Sequence, residues 1–151
     1  MARLFNSTFE NSLRIAILLD CFSSAQTVDM LYAADFMTIY GKAFGVSEAD
    51  LNGDNQYKFS EFASRRQIVQ NALKSLVLNG LAIPLDTSDG IVYSITDYGR
   101  KMVNSLESDY AREYRKVAAA VTKRIQGQKE RTVIARINRL SAESIGTGGR
   151  T

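Results

Sequence analysis

The stretch that decides the fold runs from Ser60 to Thr96, SEFASRRQIVQNALKSLVLNGLAIPLDTSDGIVYSIT. Ile68, Val69, Ala72, Leu73, Leu76 and Val77 recur at helical spacing and form one apolar stripe, which predicts a helix from about Ser60 to Asn79. Gly80 follows where a left-handed residue would close that helix. Leu81 to Leu85 and Ile91 to Ile95 then read as two strands around the glycine-containing loop Asp86-Thr87-Ser88-Asp89-Gly90. Pro84 has no N–H to give a central ladder, so it places the first of these strands on an edge. Thr96 caps the helix that follows, through Met102, Val103 and Leu106.

Working outward, Phe9 to Phe22 is apolar on most faces, as suits a helix enclosed by others. Thr27 caps a second helix carrying Val28, Leu31, Tyr32, Phe36, Ile39, Tyr40 and Ala43, and Gly45 permits its stop. On the other side, Tyr110, Tyr114, Val117, Ala118, Val121 and Ile125 lie at helical steps. Gly127 breaks that run, and a last short helix carries Val133, Ile134, Ile137 and Leu140. The predicted fold is mainly α with a small β-hairpin: a winged-helix domain over residues 1–106, a basic helical extension over 107–142, and a flexible glycine-rich tail over 143–151.

Composition excludes most catalytic chemistry. The 151 residues include no histidine and one cysteine, so Cys/His zinc sites, His-activated nucleophiles and disulfides lack their parts. No catalytic residue, cofactor or metal site is predicted. Cys21 sits in an apolar run and is expected to be a small buried hydrophobe. The apolar run Ile15 to Leu19 is closed by Asp20, too short for a signal peptide, and no stretch approaches a membrane span, so the cytoplasm is the expected location.

The net charge of +3 is unevenly placed: residues 1–75 carry −1 and the rest +4. Residues 112–139 alone hold nine basic side chains against Glu113 and Glu130. This is either a solvated helix face or a surface for a polyanion or an acidic protein patch. The candidate contacts for DNA or an acidic partner are Arg65, Arg66, Lys74, Lys123, Arg124, Arg131, Arg136 and Arg139.

A winged helix raises the question of DNA, since its third helix can enter the major groove. Gln67, Gln70, Asn71 and Lys74 would face outward there. Residues 75–99, however, contain no Lys or Arg, while Asp86, Asp89 and Asp97 are acidic, so the wing would repel phosphate. DNA contact is therefore expected to be weak and non-specific, with a transcriptional regulator as the alternative function. The loop Asp50 to Glu61 places oxygens at four positions of a calcium loop, but Asn55 replaces the turning glycine and Lys58 adds a cation, so a polar turn is the preferred reading. Tyr110, Tyr114, Val133, Ile134, Ile137 and Leu140 exceed what a three-helix core needs. They form either a partner interface or the inner face of helices folded back on the domain.

Several of these residues carry a resemblance. Leu4-Phe5-Asn6-Ser7-Thr8-Phe9-Glu10 with Leu13-Arg14, Asp29-Met30-Leu31 with Asp35 before Tyr40-Gly41, Arg65-Arg66, Asn79-Gly80-Leu81 and Tyr93-Ser94-Ile95-Thr96 occur in one order. That ordered set resembles the middle components of bacterial ABC-three-component systems, over about Leu4 to Val121. It is similar to the LmuC-type subunits of Lamassu anti-phage and anti-plasmid defence. The resemblance implies a non-enzymatic subunit that bridges the heads of an SMC-like ATPase and an effector nuclease encoded nearby, and that meets DNA mainly through the complex.

Overall fold

A computed structural model describes residues 7–51 and 58–148, with side chains through residue 143. Helix α1 (Thr8–Cys21) leads to a two-residue strand β1 (Gln26–Thr27), helix α2 (Val28–Ile39) and a 3-10 turn, Gly41–Phe44. Helix α3 (Phe62–Leu78) precedes strands β2 (Ala82–Thr87) and β3 (Gly90–Ile95), and helices α4 (Asp97–Asn104), α5 (Asp109–Ile125) and α6 (Glu130–Gly148) complete the chain. The predicted hairpin is part of a three-stranded antiparallel sheet in the order β1-β3-β2, with Gln26 opposite Tyr93 and Thr27 opposite Val92. Three helices closed by this sheet give the winged-helix arrangement, and β2 is the edge that Pro84 foretells.

Local chemistry sets the boundaries. Gly80 has φ +75°; its N–H donates to Val77 O at 3.1 Å, and the Leu81 N–H donates to Leu76 O at 2.8 Å. This pair of bonds closes α3 with satisfied carbonyls and turns the chain into β2. The Thr96 hydroxyl accepts from Gly99 N at 2.9 Å and donates to Gly80 O at 2.8 Å, so one side chain starts α4 and holds it against the end of α3. At Gly99 an added Cβ would lie 2.2 Å from Leu81 O, so only glycine fits that approach. The loop within the hairpin is shorter than predicted: Thr87 and Gly90 already pair, and Ser88-Asp89 alone turn the chain.

The core is one contiguous cluster drawing on α1, α2, α3, α5 and α6. Every residue of α2 from Met30 to Ile39 is buried, because α1 and α3 cover one side and α5 and α6 the other. The Thr27 hydroxyl accepts from Met30 N at 3.2 Å and donates to Glu130, fastening the start of α6 to the start of α2. Helix α6 continues to Gly148, past residue 143 where the glycine-rich sequence predicts a tail. No helix is long and apolar enough to cross a membrane among the described residues.

Candidate interaction surfaces

Asp35 is a charge in the middle of an otherwise apolar helix, and it is fully buried. Burying a carboxylate is costly unless its acceptor sites are filled. Here four donors fill them. Arg14 approaches from α1, with Nε 2.8 Å from Oδ1 and Nη2 3.3 Å from Oδ2. Arg65 Nη2 from α3 lies 3.0 Å from Oδ2, and the Tyr114 hydroxyl from α5 donates to Oδ1 at 2.7 Å. One carboxylate thus joins four helices. Burial alone would push its carboxyl up, but the Arg14 and Arg65 guanidiniums outweigh burial and hold it below the usual range. Burial likewise opposes the charge on Arg14, and the same Asp35 keeps it protonated. The Tyr114 hydroxyl is pushed well up, by burial first and the adjacent carboxylate second.

Two of the candidate interaction residues belong to this cluster: Arg65 and Tyr114 are partners of Asp35. The remaining apolar candidates follow Tyr114 inward. Val133 and Ile137 are fully buried in the chain's own core, and Tyr110, Ile134 and Leu140 are half-buried against it. The C-terminal stripe is therefore the inner face of helices folded back on the domain. Amphipathic spacing shows that a stripe is covered, but not by which molecule.

The basic candidates separate into tied and free groups. Arg66 Nε donates to Asp29 Oδ1 at 2.7 Å across a half-exposed pair. Arg124 donates to the carbonyl oxygens of Phe44 and Gly45, closing the 3-10 turn. Arg136 Nη2 donates to Gln128 Oε1 at 3.0 Å. Lys74, Lys123, Arg131 and Arg139 are exposed. A missed carboxylate, Asp20, serves both Arg100 and Arg115 at 3.1 Å, so α4 and α5 meet through the end of α1.

In the calcium-like loop, residues 52–57 lie outside the described residues. Of its flanks, Asp50 Oδ1 accepts the Lys42 N–H at 3.1 Å, and Lys58 Nζ stands 3.7 Å from Oδ2. An internal cation thus occupies the place beside the first would-be ligand. Cys21 is half-buried, not fully enclosed as its apolar surroundings in sequence suggest, and burial pushes its thiol up.

The exposed apolar surface lies elsewhere. Phe9 on α1 is 68% exposed; Leu78, Ile83, Leu85, Ile91 and Tyr98 are 79%, 55%, 62%, 48% and 65% exposed, and these five fall on the wing or at its base. On this segment the only charges are acidic, Asp86, Asp89 and Asp97. A wing of this composition presents apolar side chains and negative charge where a DNA-binding wing needs cations. No sequence periodicity marks it, because alternate positions of β2 are all exposed.

A family model described as ABC-three component (ABC-3C) system Middle Component 2 matches residues 4–147. No curated protein and no solved structure matches the chain.

Proposed function

The chain belongs to the Middle Component 2 family of ABC-three-component systems, and from that premise we propose that it is a non-catalytic linking subunit. In this reading it joins an SMC-like ATPase to an effector nuclease encoded nearby, in a defence complex of the Lamassu anti-phage and anti-plasmid kind, and resides in the cytoplasm. The observation that carries it is the wing. Ile83, Leu85 and Ile91 stand exposed with Asp86 and Asp89 on a hairpin without one Lys or Arg, flanked by exposed Leu78 at the end of α3 and Tyr98 at the start of α4. Ile83 and Leu85 share one face of the hairpin and favour a protein partner there, and the nearby aspartates select one whose facing surface is basic. The charged residues that might have served chemistry are engaged internally, most fully in the Asp35 cluster.

The test is co-expression with the two neighbouring gene products. The unmodified chain should co-elute with them and should itself hydrolyse neither ATP nor DNA. Ile83→Lys with Leu85→Lys changes exposed side chains only, so the variant should remain folded while losing one subunit of the complex. If the unmodified chain elutes alone at low and moderate salt, the linking reading fails.

A further inference from the structure

A recess lies at the C-terminal end of α2. Met37, Ala43, Phe44 and Leu140 line its floor, Arg124, Arg136, Arg139 and Glu143 stand on its rim, and its volume is about 330 Å³. The rim arginines differ in freedom. Arg124 is fixed by the Phe44 and Gly45 carbonyls and Arg136 by Gln128, so both are held in place before anything binds. Arg139 is exposed and makes no hydrogen bond or ion pair among the described residues. We propose that this recess binds an acidic segment of a partner subunit, with carboxylates on Arg136 and Arg139 and an apolar side chain against Leu140.

Three observations choose that occupant. Guanidinium forks match carboxylates with paired hydrogen bonds. The floor is apolar, which a sugar-phosphate backbone would leave uncovered. The volume lies at the small end for ligand sites and suits one or two side chains, not a duplex.

The position of the recess adds to the argument. The wing tip, at Thr87 and Asp89, shares a cleft with Thr27 and Met30 at the start of α2 and with Lys129 and Arg131 at the start of α6. Met37 and Phe44 lie at and beyond its other end. The 12 residues of α2 span about 18 Å at 1.5 Å each. One molecule therefore offers an acidic apolar wing and a basic apolar recess toward opposite ends of its most buried helix, connected through the Arg136–Gln128 hydrogen bond, since Gln128 also lines the wing-tip cleft. This inference rests on the linking-subunit reading.

The experiment uses the chain co-expressed with its two neighbours. Arg136→Glu with Arg139→Glu should keep the melting temperature within a few degrees, weaken attachment of one subunit at least tenfold, and leave the wing-bound subunit in place. Arg139→Glu alone, at an exposed residue, should give a smaller loss in the same direction and settles the matter if the double variant is unstable. Retention of both subunits at unmodified affinity overturns the proposal. So does loss of binding to a 30-base-pair duplex with both subunits retained, which would make the recess a phosphate site. A third contrary result is a dimer of the isolated chain that the double variant converts to monomer without affecting either subunit, because the occupant is then a second copy. If the unmodified chain joins neither subunit, it is the linking reading that fails.

Discussion

Replacing Asp35 by asparagine keeps the shape of the buried cluster and removes its only negative charge. Arg14 then loses its Asp35 counter-charge at 3% side-chain exposure, and Arg65 loses its ion pair at 11%. Breaking a buried pair by removing one partner costs about 3–5 kcal/mol, because the other charge stays buried and uncompensated. Two arginines depend on this carboxylate, so the upper part of that range is expected at neutral pH. Tyr114→Phe removes one hydrogen bond to the same carboxylate and should cost less, about 1.5–3 kcal/mol. The assay is urea unfolding followed by circular dichroism. Arg14→Met in the Asp35→Asn background should return part of the loss, since an apolar side chain of similar length needs no counter-charge. The pH dependence has a definite sign. Asp35 is depressed in the folded state, so its contribution is fully present above its ordinary value of 3.8 and is lost as pH falls toward the folded value. The unmodified protein should therefore lose stability through that acid range more steeply than Asp35→Asn. A loss below about 1 kcal/mol for Asp35→Asn at pH 7, where a buried pair should cost several times more, would refute the reasoning.

Gly99→Ala places a Cβ 2.2 Å from a backbone carbonyl and 2.8 Å from Ile95 Cγ1, and should destabilise by about 1–3 kcal/mol in the same unfolding assay. Gly80→Ala meets no atom within 4 Å and should cost only its left-handed backbone, about 1–2 kcal/mol. Ile137→Asp should unfold or severely destabilise the isolated chain, because the position is fully buried; a well-folded variant by circular dichroism would contradict the intramolecular packing of α6. Millimolar calcium should leave the melting temperature of metal-free protein unchanged, given Lys58 beside Asp50, and a rise abolished by Glu61→Gln would reverse that reading. Any binding of the isolated chain to duplex DNA should be weak, steeply salt-dependent and removed by Lys123→Glu with Arg131→Glu, while Gln70→Ala and Asn71→Ala leave it unaltered.

The elements whose boundaries are set by neighbours in sequence were legible there. Gly80, Pro84 and Thr96 act through bonds to residues close along the chain or through the backbone itself, and they mark the end of α3, the sheet edge and the start of α4. β1 escaped because two residues carry no period and Thr27 already serves as a helix cap. The Asp35 cluster escaped for a different reason: its bonds span 21, 30 and 79 residues. One signal was available, an aspartate between Ala34 and Phe36 on an apolar helix, which demands a buried cation from elsewhere. Spacing cannot tell that Arg65 and Tyr114 are the answer, since it marks Arg65 only as a cation near the start of a helix and Tyr114 only as one step of an apolar stripe. The exposed wing was half-legible: its lack of cations stands in the sequence, but the exposure of Ile83, Leu85 and Ile91 follows from how far the hairpin projects from the core.

The enclosure of α2 has a consequence for how the chain is made. Its outer cover and the last donor to Asp35 come from α5, 79 residues later, and the clasp on Thr27 comes from Glu130, 103 residues later. At about 5–20 residues per second a ribosome needs roughly 4–16 s between Asp35 and Tyr114. Throughout that interval the nascent chain holds an apolar helix with one side bare, and the first three helices have the parts of a domain without its closure. Shortening the gene before α5 would leave every molecule with that side of α2 bare, since the helices that look like an appendage in the sequence supply its cover.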